Sequence, residues 1–296
     1  MDIEKRLVNK VKKTIKNYKL LDKEENVLVA LSGGKDSISI LYILKKLGYK
    51  VSALTIDLNI GNYTKKNVAY AKEFCKEHKI NYNETSLRKE FGYSLCYIRS
   101  ILNSRGLNLK SCTICGILRR YLINRMARNL KADKLVTGHN IDDEAQSVMM
   151  NILRNDISLL SRIGPVSGIS KDKKFVPRVK PLYFCKEEDI VKFSKKIGFD
   201  VDYEPCPCSV DVYRRFILNT MDDYEKEEKD VKSNVIENFI KIMPQLKKKY
   251  KSKDKFQYCD ICKEPSKNDV CKTCKLISVL NSDNKNSPLK PILTKV

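Results

Sequence analysis

The chain has 296 residues, enough to bury a full core, and this length suggests about two domains. Its 58 Lys and Arg residues against 36 Asp and Glu residues leave a net charge of +22, which favours a polyanionic partner, most simply a nucleic acid. A biased base composition of the coding sequence is an alternative explanation for the high Lys content, but it does not by itself explain why Asp and Glu are few. Met1–Lys5 has no apolar leader, and no apolar run is long enough to span a membrane. We therefore expect a cytoplasmic protein whose eleven cysteines serve thiolate or metal chemistry.

The first part of the chain alternates between predicted strands and predicted helices. Residues 1–20 are predicted as a basic helical lead-in. Strands are predicted at residues 27–30, 51–58, 80–86 and 134–137, and helices at residues 40–47, 64–79, 114–122 and 145–153. Such alternation predicts an α/β fold with a doubly wound parallel sheet, which we assign to residues 21–185.

Three further segments follow the predicted sheet domain. Residues 186–255 read as mostly helical and lysine-rich, ending in the run Lys247–Lys255, which is either a solvated helix face or an RNA contact. Residues 256–275 form a separate cysteine module, and residues 276–296 are predicted to be a loose tail. The sequence thus predicts a helical C-terminal extension followed by a small metal-binding knuckle.

A glycine-rich loop between the first strand and the first helix of this domain is the main candidate for phosphate binding. The loop consists of Ser32, Gly33, Gly34, Lys35, Asp36 and Ser37. Paired glycines let backbone N–H groups approach an anion, and the following helix N-terminus adds partial positive charge. The common ATPase loop is excluded, because Val29 stands where its first Gly belongs and Asp36 follows Lys35. The alternative is a glycine-rich turn that binds nothing.

Two other segments fall at the carboxyl ends of predicted strands, where ligands bind in doubly wound sheets. They are residues 56–57 and 138–143. Asp36 and Asp143 are candidate Mg²⁺ ligands, although either carboxylate could instead cap a helix. We interpret His139 as a hydrogen-bonded turn residue in preference to a base or ligand.

The C-terminal cysteines are spaced like zinc ligands. They form two CxxC pairs eight residues apart, and the four residues are Cys259, Cys262, Cys271 and Cys274. Each CxxC turn directs two sulfurs at one point, and tetrahedral Zn²⁺ needs four such donors. Because all four positions are filled, we predict a structural zinc site.

A second cysteine group combines a pair from the predicted sheet domain with a pair from the lysine-rich segment that follows it. Cys112 and Cys115 open a predicted helix, and Cys206 and Cys208 lie in a stiff proline turn far along the chain. The first pair is either a redox pair or half of a metal site. Two local cysteines and one distant cysteine would hold three irons of a [4Fe–4S] cluster and leave the fourth iron open. A four-thiolate site using Cys208 and purely structural cysteines are the competing interpretations. The isolated cysteines Cys75, Cys96 and Cys185 are predicted to be small buried hydrophobes.

Together these motifs resemble the PP-loop (N-type ATP pyrophosphatase) tRNA 2-thiolation proteins of the TtcA/TtuA group, with the archaeal NcsA branch as the nearest match. The resemblance covers roughly residues 20–275. It depends on residues 32–37, on the CTICG run at residues 112–116, on the TGHNIDDEAQ run at residues 137–146, on Cys206-Pro207, and on the C-terminal knuckles. It implies a Rossmann-like PP-loop fold, ATP and Mg²⁺ as cofactors, tRNA as substrate and a homodimer.

The resemblance also implies roles for individual residues. The [4Fe–4S] ligands would be Cys112, Cys115 and Cys206. The loop at residues 32–37 would bind the phosphates of ATP. The other nucleotide contacts would come from Ala30, Ile56, Gly138 and Asp143. The catalytic set would be Asp36, Asp143, Arg119, Cys112 and Cys206. The open iron would carry the sulfur, supplied by a ubiquitin-like carrier, a desulfurase or free sulfide.

Two features depart from the TtuA branch that the resemblance includes. Residues 1–25 contain no cysteine, whereas that branch carries an additional N-terminal zinc knuckle. Arg119 stands seven residues after Cys112, where that branch has an essential Lys. Because Arg keeps its proton, its role would be electrostatic.

The reaction expected from the resemblance is the ATP-dependent thiolation of a tRNA uridine. The C2 oxygen of the base would attack the α-phosphate of ATP, pyrophosphate would leave, and sulfur would then displace AMP. Uridine 34 is favoured, with uridine 54 and cytidine 32 as alternatives. A cluster-free PP-loop ligase of the lysidine-synthetase type and a non-catalytic zinc RNA-binding module are the competing functions.

Overall fold

In the computed structural model, which describes residues 2–168, 172–208, 212–251 and 257–281, the chain folds around a five-stranded parallel sheet. Its strands are β1 (Asn26–Ala30), β2 (Lys50–Asp57), β3 (Asn81–Ser86), β4 (Lys134–Val136) and β5 (Arg178–Val179), and a separate antiparallel pair is formed by β6 (Gln257–Tyr258) and β7 (Pro265–Ser266). The helices are α1 (Ile3–Tyr18), α2 (Lys35–Lys46), α3 (Gly61–Glu77), α4 (Leu87–Phe91), α5 (Leu95–Ser104), α6 (Ser111–Asn129), α7 (Ile141–Leu153), α8 (Ile157–Leu160), α9 (Glu187–Ile197), α10 (Val212–Glu227), α11 (Val231–Lys249) and α12 (Lys272–Asn281).

The strand order β3-β2-β1-β4-β5 confirms the predicted doubly wound sheet. All four neighbouring pairs are parallel. The order reverses between β1 and β4, so a crevice opens beyond their carboxyl ends, where such sheets bind ligands. The four predicted strands correspond to β1 through β4. The sequence pattern gives no signal for β5, because it is only two residues long.

The strands are buried on both faces, as is typical of a parallel sheet covered by helices. On β1, Val27 and Val29 pack with α1, α2 and α9, whereas Leu28 faces the opposite side. There Leu28 packs with Leu135 of β4 and Ile123 of α6. The sheet therefore fixes α2 on one face and α6 on the other, and both helices lead into the crevice.

The N-terminal helix contributes to the same core. Asp2 caps α1 by accepting a hydrogen bond from the Glu4 N–H at 3.3 Å. Leu7, Val11 and Ile15 recur every four residues, so they lie on one face of the helix, and that face is buried against the sheet domain. Residues 1–20, predicted as a lead-in, thus supply apolar side chains to the main core.

The lysine-rich region is helical, as predicted, and it packs against α7. Val148 of α7, Ile217 and Met221 of α10, and Ile236 and Phe239 of α11 belong to one buried cluster. Within the run Lys247–Lys255, Lys247 donates a hydrogen bond to the carbonyl of Val166 at 3.0 Å. Residues 252–255 of that run lie outside the described residues.

The C-terminal segment differs from the predicted loose tail. Residues 276–281 complete α12, and its side chains Leu276, Ile277 and Leu280 are buried. They pack with the apolar faces of α5 and α6. Each such side chain stabilises the fold by roughly 1.5–3 kcal/mol, which explains why the helix continues past the cysteines. Residues 282–296 of the predicted tail lie outside the described residues.

None of the helices in the part of the chain that the structure describes combines the length and the apolar character needed to cross a membrane.

A buried ion pair joins β5 to α7 beside the crevice. Lys180, just beyond β5, donates to Glu144 of α7 at 2.7 Å, and their side chains are 9% and 3% exposed. The second carboxylate oxygen of Glu144 is buried without a hydrogen-bond partner. Burial raises the pKa of Glu144, and Lys180 opposes that rise. The carboxylate therefore depends on Lys180 for its charge.

We expect Lys180→Met to lower the free energy of unfolding by about 3 kcal/mol, because Glu144 would remain buried without its counter-ion. Urea unfolding measures this loss. The double variant Lys180→Met with Glu144→Gln is expected to recover most of it. Lys192→Met, which breaks the exposed pair with Glu188, serves as the control and is expected to cost less than about 1 kcal/mol. Equal losses from the two single variants would contradict the prediction.

Candidate functional site

The loop after β1 is held in shape by its own hydrogen bonds. Ser37 Oγ accepts a hydrogen bond from the Ser32 N–H at 3.1 Å and lies 3.0 Å from Ser32 Oγ. It also lies 3.0 Å from the carbonyl oxygen of Gly34, to which it donates. Gly34 is the N-cap of α2, and no side chain caps the N–H groups at the start of the helix. Residues 32–37 thus form a compact turn that leads into the N-terminus of α2, a geometry that suits the anion cradle predicted there.

Gly33 is required by the close approach of α3. Its φ of +83° lies in the left-handed region, and an added Cβ would stand 2.4 Å from the carbonyl oxygen of Asn67. Asn67 is buried on α3. No other residue fits here, because both the backbone angle and the available space exclude a side chain. The loop backbone consequently packs directly on α3.

Lys35 points its ammonium group at two carboxylates. Its Nζ lies 3.1 Å from Asp36 Oδ2 and 2.6 Å from Glu187 Oε1 at the start of α9. Burial works against the charged form, yet the two carboxylates hold the pKa of Lys35 above its usual value. The ammonium group is therefore charged and is held between Asp36 and Glu187. The sequence pattern gives no sign of Glu187, which is 152 residues away.

Asp36 and Asp143 lie close to each other across the crevice. Asn140 Nδ2 donates to Asp36 Oδ1 at 3.1 Å, and Asn140 and Asp143 form a capping box that begins α7. Asp143 therefore does cap a helix, whereas Asp36 does not, since Gly34 holds the cap position. Burial, and then the nearby charge of Asp143, raise the pKa of Asp36 against the pull of Lys35. Two neighbouring carboxylates that repel each other fit a divalent cation such as Mg²⁺.

Gly138 brings the second loop against the first. An added Cβ at Gly138 would stand 2.9 Å from the carbonyl carbon of Asp36 and 2.9 Å from the nitrogen of Ser37. Both of these atoms are backbone, so neither could move aside cheaply. Absence of a side chain at Gly138 thus sets the distance between residues 32–37 and residues 138–143.

His139 lies in the loop between β4 and α7 and is hydrogen-bonded there, as the sequence interpretation expects. Its Nδ1 lies 2.9 Å from the Thr137 hydroxyl. Burial, followed by the charges of Lys180 and Arg178, lowers the pKa of His139 to about 3. The ring is therefore neutral at physiological pH.

Ala30 and Ile56 lie at the carboxyl ends of adjacent strands. Ala30 pairs with Leu54, and Ile56 is two residues further along β2. Both are half-buried and pack with the cluster under α6. Their backbone groups line the side of the crevice formed by β1 and β2, where a nucleotide contact is predicted.

The three cysteines predicted as cluster ligands converge at the start of α6. Burial raises the pKa of the Cys115 thiol, and the neighbouring thiols of Cys112 and Cys206 raise it further, while Arg119 opposes the rise. Cys112 is exposed, whereas Cys115 and Cys206 are half-buried. Three thiols that influence one another at an open surface fit a [4Fe–4S] cluster with one iron free of protein ligands.

Cys208 is turned toward a different partner. Its thiol is hydrogen-bonded to Cys96 of α5, and burial with this neighbour raises the pKa of Cys208 to about 12. Its backbone carbonyl accepts a hydrogen bond from Cys112 Sγ at 3.7 Å, and its thiol lies near enough to Cys206 for that neighbour to raise its pKa further. The expectation that Cys96 is a buried hydrophobe is therefore wrong, since Cys96 is exposed. Cys75 and Cys185 are buried, as expected.

A short chain of contacts connects the cysteines to the phosphate-binding loop. The thiol of Cys206 contributes to the raised pKa of Tyr63, for which burial is the larger cause. Tyr63 is hydrogen-bonded to the side chain of Asn67, and the carbonyl of Asn67 packs on Gly33. The two predicted sites therefore lie on opposite sides of one layer of α3 side chains.

The four C-terminal cysteines form a compact set of sulfurs. The sulfurs of Cys259, Cys262, Cys271 and Cys274 all lie within 4.8 Å of one another. Cys262 and Cys271 are 3.7 Å apart, close to the spacing of about 3.8 Å expected for tetrahedral Zn–S bonds of about 2.3 Å. Backbone N–H groups of Cys271 and Cys274 donate to Cys259 and Cys271 sulfurs. Hydrogen bonds from Cys262 and Cys274 lower the pKa of Cys271, so a thiolate is already favoured.

The knuckle is fixed to the far end of α6. Arg128 forms a bidentate pair with Glu264, with one N–O distance of 2.7 Å. Tyr121 of α6 packs against the cysteine cluster. Lys174 donates to the carbonyl of Lys263 at 2.7 Å, which adds a second tether. The cysteine module is thus docked on the sheet domain through side chains that are remote in sequence.

Arginines on and near α6 complete the site. Arg119 lies near Cys115 and His139, and its charge acts to lower the pKa of both groups. Arg120 and Arg178 lie beside it, and neither was predicted as a site residue. Arg214 of α10, also not predicted, contacts Asp143 at 3.1 Å. The arginine-rich face of α6 is the only sequence signal for this group. Arg178 and Arg214 are distant in sequence and come near the site only in the folded chain.

Comparisons with known proteins agree with this geometry. The model of the PP-loop domain family matches residues 3–219. A tRNA-5-methyluridine(54) 2-sulfurtransferase of Pyrococcus horikoshii is 34% identical over 90% of this chain and 83% of its own length. Cytoplasmic tRNA 2-thiolation protein 1 of Caenorhabditis elegans is 30% identical over 93% of this chain and 73% of its own. The solved structure of the U34-tRNA thiolase NcsA from Methanococcus maripaludis, with its [4Fe–4S] cluster, has a TM-score of 0.74 at 26% identity, covering 95% of this chain and 88% of that one.

We expect Gly138→Ala to weaken ATP binding about tenfold or more, because the new methyl group would push the loop at residues 138–143 away from α2. Calorimetric titration with a non-hydrolysable ATP analogue measures the change. Gly48→Ala is the control at the other end of α2. It also introduces strain, with φ of +77°, but its nearest neighbour is 3.8 Å away. Unchanged affinity in Gly138→Ala would contradict the assigned nucleotide site.

Proposed function

This chain belongs to the PP-loop family of tRNA 2-thiolation proteins, and we propose that it is an ATP-dependent tRNA sulfurtransferase that uses a [4Fe–4S] cluster. The observation that carries the proposal is the convergence of Cys112, Cys115 and Cys206 one side-chain layer from the phosphate-binding loop. A nucleotide site alone would serve many ligases. A thiolate set beside it fits the replacement of an activated oxygen by sulfur.

The nucleotide half of the reaction follows from residues at the crevice. The loop at residues 32–37 binds the phosphates of ATP through backbone N–H groups and Lys35. Asp36, with Asp143 beside it, would hold Mg²⁺. The C2 oxygen of the tRNA base attacks the α-phosphate, and pyrophosphate leaves. Lys35 stabilises the negative charge that develops on the phosphates, because its ammonium group is charged and already positioned.

The sulfur half of the reaction belongs to the cysteine side. Cys112, Cys115 and Cys206 would hold a [4Fe–4S] cluster, which would supply an iron coordination position for sulfur. Arg119 stabilises negative charge near Cys115 and does not transfer protons, since its guanidinium stays protonated. The neutral ring of His139 holds its turn through Thr137.

The nucleic-acid partner is proposed from charge and from relatives. A net charge of +22 favours a polyanion, and the relatives described above are named for tRNA. We propose uridine 34 as the target, on the likeness to the U34-tRNA thiolase structure, with uridine 54 and cytidine 32 as alternatives. The target base must leave its stack to reach the crevice, and an anticodon loop offers that at low energetic cost. We further propose that the protein is a cytoplasmic homodimer. Its sulfur would come from a ubiquitin-like carrier, a desulfurase or free sulfide.

We expect Cys112→Ser and Cys206→Ser each to lose the visible absorption of the reconstituted cluster and to abolish thiolation, because each removes one of three iron ligands. Anaerobic reconstitution followed by mass spectrometry of tRNA nucleosides measures both effects. Cys75→Ala, at a buried cysteine within α3, is the control and should retain both.

The position of the thiolated nucleoside in tRNA from a deletion strain identifies the target base. Full thiolation by Cys112→Ser would refute the role of the cluster. Pyrophosphate release that depends on tRNA, with no sulfur incorporated, would indicate a ligase of the lysidine-synthetase type instead.

We also propose that the four C-terminal cysteines bind one structural Zn²⁺. All four sulfurs face one point, so the metal would have no open position for a substrate. The ion would fix the knuckle that carries α12 against α5 and α6.

Cys262→Ser is expected to remove about one zinc per chain and to lower the thermal midpoint, because a structural zinc site stabilises the fold. Elemental analysis and thermal unfolding measure the two effects. Cys185→Ser, at a buried cysteine outside the knuckle, should keep the zinc. Retention of the full zinc content by Cys262→Ser would contradict this assignment.

A further inference from the structure

We propose that Arg120 and Arg178, together with Arg119, form a binding site for a phosphate-ester oxyanion between the cluster cysteines and the loop that carries His139. This inference rests on the proposed function for its biological meaning, but its physical content is anion binding, which can be measured without thiolation. The oxyanion has two possible sources, namely the AMP group carried by the activated base and the phosphate backbone of the RNA.

The fold directs Arg178 toward α6. Arg178 is paired in register with Leu135 on the neighbouring strand, and side chains of paired residues point to the same face of a sheet. Leu135 packs with Ile123 and Ala127 of α6, so Arg178 faces that helix as well. Arg119, on the same helix, lies near enough that its charge acts on Arg178. The arginines therefore meet at the carboxyl edge of β4 and β5.

The group of arginines lacks a balancing carboxylate. Among the described residues, none of Arg119, Arg120 and Arg178 forms a salt bridge or a side-chain hydrogen bond with a carboxylate, and the Nε of Arg178 is buried without any hydrogen-bond partner. Leaving a buried charged donor unsatisfied is costly, so its retention calls for a ligand. Arg119 and Arg120 are exposed, which leaves the site open to solvent.

Neighbouring basic residues behave differently. Lys180 is paired with Glu144, and Arg214 is paired with Asp143. Arg128, on the same helix as Arg119, is paired with Glu264. Each of these three basic groups has a carboxylate partner, whereas the buried Nε of Arg178 has no hydrogen-bond partner at all.

Gly116 makes room for one member of the group. An added Cβ there would stand 3.1 and 3.3 Å from the two terminal nitrogens of Arg120. The guanidinium therefore lies over the bare backbone one turn earlier in the helix, next to Cys115. Burial, followed by the charges of Arg120 and Arg119, lowers the pKa of Arg178 to about 10.

The chemistry of the group selects the ligand class. A guanidinium presents parallel N–H donors that match two oxygens of a phosphate, and several guanidinium groups around one point favour a multiply charged anion. The proposed reaction brings two kinds of phosphate ester to this region, on the activated base and on the RNA strand. A phosphate from either source would accept a hydrogen bond from Arg178 Nε and would offset the positive charge of the three guanidinium groups.

Replacing Arg178 separates a ligand-binding role from a structural one. We expect Arg178→Met to raise the thermal midpoint of the ligand-free protein, because it removes a buried group that lacks a partner. Arg128→Met is the matched control and should lower the midpoint, because it breaks a bidentate pair and leaves Glu264 unpaired. Inorganic sulfate, compared with chloride at equal ionic strength, should raise the midpoint of the wild type and of Arg128→Met but not of Arg178→Met.

Two binding titrations then identify the source of the phosphate. A tenfold loss of AMP affinity in Arg178→Met, with unchanged binding of a single-stranded RNA oligonucleotide, would assign the site to the activated base. The reverse result, with a smaller dependence of RNA affinity on salt, would assign it to the RNA backbone. Arg178→Lys should give intermediate affinities, because it keeps the charge and loses the paired donors. Arg120→Met should weaken the same ligand.

The inference is overturned if Arg178→Met lowers the midpoint as Arg128→Met does, or if sulfate, AMP and RNA bind both proteins equally. Such a result in a protein that still thiolates tRNA would refute only the phosphate site. Intact anion binding in a protein that never thiolates tRNA would refute the proposed function and leave this site standing.

Discussion

The close approach of Gly138 to the first turn of α2 determines how the site is assembled. Because β1 and β4 are neighbours at the point where the strand order reverses, the segments that follow them leave the sheet side by side. The missing side chain at Gly138 lets the two segments touch through their backbones. Asn140 then links Asp36 and Asp143 by hydrogen bonds. The proposed site for a divalent cation and phosphates is thus built from segments that are 104 residues apart in sequence.

Helix α6 connects the remaining parts of the molecule. It begins with Cys112 and Cys115, carries Arg119 in its middle, and ends near Arg128, which binds the knuckle. Nineteen residues of α-helix extend over about 28 Å, so one element carries the proposed cluster cysteines at its start and contacts the knuckle further along, through Tyr121 and Arg128. Its opposite face packs on the sheet through Ile123. The relative positions of the sulfur sites therefore follow from a single helix.

The sequence predicts those features whose chemistry is local. The loop at residues 32–37, the two CxxC sets and the alternation of strands and helices are each contained in short windows, so their patterns are readable. Contacts between distant residues are not readable in this way. Glu187 reaches Lys35 across 152 residues, and Cys96 meets Cys208 from a helix with no motif.

Elements that are very short, or that are stabilised mainly by packing on other elements, also give no sequence pattern. Strand β5 is two residues long, and its orientation comes entirely from pairing with β4. Residues 276–281 look like the start of a tail, because their helix is stabilised by apolar surface on α5 and α6 and not by a pattern of its own. Arg178 becomes notable only when its lack of a carboxylate partner is known from the fold.

The position of α12 also constrains the order in which parts of the protein complete their packing during synthesis. Leu95, Ile98 and Leu118, on helices synthesised in the first half of the chain, share their buried cluster with Leu276 and Leu280. Until the ribosome has released the C-terminal segment, this apolar surface on α5 and α6 lacks the helix that covers it. Nascent chains with such exposed surface are prone to aggregation and favour chaperone binding. The start of α6, where Cys112 lies, therefore completes its packing late in biosynthesis.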